Sequence, residues 1–154
     1  MYDYLPHDRQ QPTPAHSWCW TVAAGADLQC DMKSIHEIAE KYDIRIIEDA
    51  SHCIGASFEG EPVGNCRYSD IAVFSFHPVK IITTAEGGVA TTNSAKLSQN
   101  MSLARSHGVT RDPALMENNS FGPWYYEQIT LGYNYRMTEL QAALGSSQMK
   151  RLDK

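Results

Sequence analysis

An α/β fold built on a parallel or mixed sheet is predicted for this 154-residue chain by three features. Two apolar runs, Ile44–Asp49 and Asp70–Ser75, each read as a strand that ends in a polar turn. Apolar residues at helical spacing, Ile35/Ile38/Ala39/Tyr42 before the first run and Leu97/Met101/Ala104 after the second, read as helices. Gly- and Pro-punctuated stretches separate them, which is the alternation expected of a sheet flanked by helices.

Taken in order, residues 1–21 read as an irregular N-terminal segment, because Pro6, Pro12 and Pro14 interrupt a stretch without periodicity. Ser34-x-x-Glu37 has the form of a capping box and predicts the start of the first helix. The strand 44–48 follows, with Asp49 at its end. Ser57–Gly64 is Gly-punctuated and predicts a small hairpin. The strand 70–75 delivers the chain to Lys80, and Val89–Thr92 predicts a further strand. Residues 107–136 form a long connection with an aromatic cluster, Trp124-Tyr125-Tyr126. Connections of that length are more often functional than filler. Thr138-x-x-Gln141 caps a last helix that carries Met137, Leu140 and Leu144 on one side.

Composition narrows the function classes. A net charge of -5 with no basic cluster argues against a nucleic-acid or polybasic membrane partner, since phosphate binding needs grouped Lys and Arg. No run of apolar residues is long enough for a membrane span, and the polar N-terminus lacks an apolar signal core. Cys19, Cys30, Cys53 and Cys66 contain no C-x-x-C pair, so no metal site is expected. Reduced thiols in a cytoplasmic protein fit this usage.

The candidate chemistry sits at the strand ends. In parallel sheets, ligands bind beyond the carboxyl ends of the strands. Asp49 ends one strand, and Lys80 stands just past another, five residues beyond Ser75. A lysine amine attacks a carbonyl only when neutral, and its setting among apolar strand residues, Pro78 and Ile81-Ile82 suits that. An acidic partner for a pyridine nitrogen is the arrangement used with pyridoxal phosphate, the electron sink of amine chemistry. Ser75 has a hydroxyl to offer a cofactor phosphate. Plainer readings compete with each of these. Lys80 as a solvated surface charge, Asp49 as a helix N-cap and His52 as a hydrogen-bonded loop histidine all satisfy the spacing alone.

Four ordered motifs then carry a resemblance: Ile47-Glu-Asp-Ala-Ser-His52, Phe74-Ser-Phe-His-Pro-Val-Lys80, Thr84-Ala-Glu-Gly-Gly88 and Leu131-Gly-Tyr-Asn-Tyr-Arg-Met-Thr-Glu-Leu-Gln-Ala-Ala-Leu-Gly145. Over residues 22–154 the chain resembles the DegT/DnrJ/EryC1/StrS family of sugar aminotransferases, enzymes of pyridoxal phosphate fold-type I. Ser51-His52, the string Phe76–Lys80 and Pro123–Glu127 look most like the pseudaminic-acid branch. Residues 22–154 are accordingly expected to form part of the cofactor-binding large domain, a mostly parallel sheet with flanking helices.

The resemblance implies the following roles. Lys80 holds the cofactor as a Schiff base and moves the proton between substrate Cα and cofactor C4′. Asp49 pairs with the pyridine nitrogen, His52 stands near the ring hydroxyl where many members carry Gln, and Ser75 contacts the phosphate. Asn134 reaches the phosphate in a neighbouring subunit, which implies a homodimer. The substrates implied are a UDP-linked 4-keto-6-deoxy sugar and glutamate, in a ping-pong cycle serving cell-surface glycan biosynthesis. Some members replace the lysine by histidine and act as dehydratases, so Lys80 favours amination. A dinucleotide-binding reading is weak, because no G-x-G-x-x-G follows a strand.

Family members are longer. The phosphate-cradling N-terminal part of the large domain and the small domain have no counterpart here, and the chain is expected to be a fragment. The alternative to catalysis is an inactive fragment that associates through its aromatic loop and last helix.

Overall fold

The computed structural model describes residues 18–22, 30–118 and 122–152. In chain order the elements are β1 (Trp18–Val22), α1 (Met32–Tyr42), β2 (Arg45–Asp49), β3 (Ser57–Phe58), β4 (Glu61–Pro62), β5 (Ile71–Ser75), β6 (Gly88–Thr91), α2 (Ala95–Arg105), β7 (Val109–Thr110), β8 (Glu127–Gln128) and α3 (Glu139–Met149). Four strands make the main sheet, in the order β1-β2-β5-β6. The first two pairings are parallel and the last, β5 with β6, is antiparallel.

The strands form where the side chains alternate in burial. In β2, Ile46 and Glu48 are buried while Ile47 and Asp49 on the other face are half-buried. Asp49 pairs in register with Val73, so β2 and β5 end at the same edge of the sheet. Ala50, Cys53, Cys66, Ala72 and Phe74 form one core cluster beside that edge. Met32, Ala39 and Ile46 form a second, between α1 and the sheet. Cys30, Cys53 and Cys66 are thiols.

Several expectations need correction. The first helix is capped by Asp31 rather than by Ser34, whose N–H and hydroxyl both donate to the Asp31 carboxylate, at 3.1 and 2.6 Å. A carboxylate is the stronger acceptor, and a start one turn earlier lets Met32 reach the core. The segment read as irregular over 1–21 ends in β1, and its first seventeen residues lie outside the described ones. The long connection contains a two-stranded ribbon, β7 with β8. The hairpin at 57–64 forms as β3 and β4, and Thr138 and Gln141 do close a capping box at the start of α3. That helix, however, turns Gly145 to the core and leaves Leu140 85% exposed. No helix among the described residues is long and apolar enough to cross a membrane.

Candidate active site

The site begins where β2 runs out. Burying Ile46 and Glu48 on one face leaves Asp49 on the other, at the strand's carboxyl end. The Ala50 N–H still donates to the Val73 carbonyl at 2.8 Å, after which the chain turns away. Asp49 Oδ1 accepts from both the Ser51 N–H and the Ser51 hydroxyl. This is an Asx-turn, not a helix N-cap, since no helix follows. Oδ2 carries no hydrogen bond from the described residues.

His52 stands exposed on that turn. From the neighbouring strand, β5, Ser75 leads into a segment that returns as β6. The Phe76 N–H donates to the Gly87 carbonyl at 2.8 Å and closes the base of this segment. Within it a tight turn, Lys80 N–H to His77 carbonyl at 2.9 Å, presents the lysine. Lys80 Nζ then meets His52 Nε2 at 2.6 Å. A hydrogen bond at that distance pairs one donor nitrogen with one acceptor nitrogen, and the His52 tautomer sets which is which.

Ser75 Oγ accepts a long bond of 3.4 Å from the His77 N–H. Asp49, His52, Ser75 and Lys80 therefore share one sheet edge. Asn134 does not join them. It lies exposed in an isolated antiparallel bridge with Ser106.

Beneath the edge two groups are perturbed. Burial pushes the Glu48 carboxyl above its ordinary range, only partly offset by the Ser69 hydroxyl that donates to it at 3.1 Å. Burial also pushes the Cys53 thiol up, with the Glu48 and Asp49 charges adding to the effect.

Sequence reasoning missed the residues that fasten the Lys80 segment from behind. Thr84 is buried, and the Thr83 N–H donates to Gln148 Oε1 on α3 at 2.8 Å. No local pattern signals a partner 65 positions away. Ala85, in the same segment, adopts φ 66°, a left-handed conformation costly for a residue with a Cβ.

A family model, the DegT/DnrJ/EryC1/StrS aminotransferase family, matches residues 23–154. The chain belongs to that family. UDP-4-amino-4,6-dideoxy-N-acetyl-beta-L-altrosamine transaminase of Campylobacter jejuni is 42% identical over 123 residues, which are 80% of this chain and 30% of that protein. GDP-perosamine synthase of Caulobacter vibrioides is 42% identical over 124 residues, again 80% of this chain and 30% of the relative. Among solved structures, Helicobacter pylori PseC, an aminotransferase involved in the biosynthesis of pseudoaminic acid, superposes with a TM-score of 0.75 at 34% identity, covering 87% of this chain and 33% of PseC. The PLP form of the sugar aminotransferase Spr1654 from Streptococcus pneumoniae gives 0.73 at 28% identity, covering 89% and 37%. The fold is thus part of the fold-type I large domain, and the chain spans about a third of the length of the relatives it matches.

Proposed function

We propose that this chain is part of a pyridoxal-phosphate-dependent aminotransferase acting on a nucleotide-linked keto sugar. The observation that carries the reading is the meeting of Lys80 with His52 at 2.6 Å, beside Asp49, at the carboxyl ends of two adjacent parallel strands. The residues present fit the cofactor. Asp49 offers an oxygen with no partner among the described residues to a protonated ring nitrogen. Ser75 offers a hydroxyl to a phosphate, and Lys80 offers the amine. When bound, the cofactor supplies an aldehyde for that amine and an electron sink for the substrate Cα.

The protein's own part is to hold and move protons. Asp49 would hold a bound ring nitrogen in its charged form, which lets the ring act as a sink. His52 takes or returns the proton that Lys80 must lose before its nitrogen can attack and must regain when it acts as an acid. In a loaded site Lys80 would be the group positioned to move a proton at the substrate Cα. Asn134, which stands apart within the chain, is assigned to the phosphate of a second subunit, and the active form is a homodimer in the cytoplasm.

The finer substrate is a UDP-linked 4-keto-6-deoxy sugar with glutamate as donor. The pseudaminic-acid motif strings support the uridine nucleotide, while the equal identity to a GDP-perosamine synthase makes the nucleotide the part to be tested. A second reading, association of an inactive segment, is favoured by one observation: Trp124, Leu131, Tyr135 and Leu140 are 68%, 90%, 72% and 85% exposed.

The test is a visible spectrum of the chain with pyridoxal phosphate, before and after glutamate. A yellow band that fades on glutamate and is absent in Lys80→Ala supports the aminotransferase. No band, or one unchanged in Lys80→Ala, leaves the association reading.

A further inference from the structure

The segment between β5 and β6 is stitched across its base. The Phe76 carbonyl accepts from the Thr84 N–H at 3.0 Å and from Thr83 Oγ1 at 2.9 Å, and the Ala85 N–H donates back to Thr83 Oγ1 at 3.0 Å. Among the described residues, two side-chain hydrogen bonds then tie the segment to parts of the chain beyond β5 and β6. One is Lys80 to His52. The other is Thr83 N–H to Gln148 Oε1, at 2.8 Å.

Gln148 is half-buried in the last turn of α3, one turn beyond Gly145. Gly145 lets the helix come close, since a Cβ there would stand 2.7 Å from Thr84 Cγ2. Packing at Thr84 therefore sets the distance between helix and segment. It does not orient the peptide that precedes Thr83. A directed acceptor does, and Gln148 Oε1 is that acceptor.

We propose that Gln148 is a positioning residue for Lys80. By accepting the Thr83 N–H it fixes the peptide plane three residues beyond the lysine and sets Lys80 Nζ against His52 Nε2. The inference rests on the reading of Lys80 as the cofactor-bearing amine, and it assigns α3 a part in the site that no strand-end motif carries.

The requirement is for an oxygen acceptor, which separates it from packing. Gln148→Glu keeps the acceptor, whereas Gln148→Leu keeps the volume and removes it. Two readouts apply to the 154-residue chain. The first needs no cofactor: the 15N shifts of the His52 ring, with Lys80→Ala defining the signal of a lost contact. The second is the rate at which pyridoxal phosphate and borohydride label Lys80, relative to Lys33, Lys41 and Lys96.

Q148L is expected to show the His52 signal of Lys80→Ala and to label Lys80 about fivefold more slowly, the factor equivalent to one ordinary hydrogen bond. Q148E is expected to match wild type in both, whatever its melting temperature. Should Q148L not fold, Q148M, unbranched and without an acceptor, replaces it. The inference is overturned if the acceptor-free variant keeps the wild-type His52 signal, or if Q148E fails in step with it. If wild-type Lys80 labels no faster than the other lysines, the aminotransferase reading falls, and the His52 ring still decides the role of Gln148.

Discussion

Lys80 Nζ and His52 Nε2 lie 2.6 Å apart although 28 positions separate them, each reaching out from the turn after one of two adjacent parallel strands. The pairing depends on the register of β2 with β5, because a slip of β2 by one residue would turn Asp49 into the core.

His52 acts here as a partner for the lysine nitrogen. His52→Leu removes that partner and is expected to slow borohydride-trapped labelling of Lys80 about tenfold, the effect of one charge-assisted hydrogen bond. His52→Gln retains an acceptor oxygen and is expected to lose little. Peptide mapping of the labelled chain measures both, and equal rates in the Leu and Gln variants would count against the contact.

Gly145→Ala sets two effects against each other. Alanine gains about 1 kcal/mol of helix propensity over glycine. The new Cβ meets Thr84 Cγ2 at 2.7 Å, and Thr84 cannot yield easily because it is buried with its hydroxyl donated to the Glu86 carbonyl at 2.8 Å. Overpacking of this kind costs about 1–3 kcal/mol. The variant is expected to be less stable in urea, and a gain in stability would refute the close approach of α3.

Glu48 gives a pH signature. Burial raises its pKa in the folded chain, so between the unfolded and folded values the native state holds more protons. This group's contribution therefore favours folding at low pH and is lost as pH rises through that window. Glu48→Gln keeps an acceptor for Ser69 and carries no charge. Its melting temperature is expected to exceed wild type more at pH 7.5 than at pH 5, and an equal gain at both would contradict the assignment.

Glu127 works in the opposite sense. Partial burial raises its pKa, but donors from Glu117 N–H, the Tyr125 hydroxyl and Asn118 outweigh this and hold the carboxyl below its ordinary range. The clasp it makes is present above the unfolded pKa and lost as pH falls through the folded one. Glu127→Ala is expected to speed hydrogen exchange at the Glu117 and Asn118 amides while the sheet amides keep their protection. Unchanged exchange at those two positions would show that the loop is held elsewhere.

How much of this was legible in the sequence follows from the range of each interaction. Thr138 and Gln141 were readable as a cap because both partners lie within one turn. Asp31 and Ser34 satisfy the same local pattern, and the choice between them is made by Met32 finding the core, which no cap rule contains. Asp49, Ser75 and Lys80 were readable because strand ends are places where polar residues interrupt apolar runs. That His52 would be the residue touching Lys80 was not, since it needs the β2–β5 register. Leu140 and Leu144 have helical spacing without burial here, because periodicity reports an apolar face and not what covers it.

The last helix starts five residues after Asn134 and carries, one residue before its end, the glutamine that grips the Thr83 amide. Eleven residues make a rod about 16 Å long, stiff on the scale of a hydrogen bond. Because Gln148 and Gly145 meet the Lys80 segment from one rigid rod, a displacement of α3 moves the acceptor of the Thr83 amide and the packing on Thr84 together, without any strand changing register.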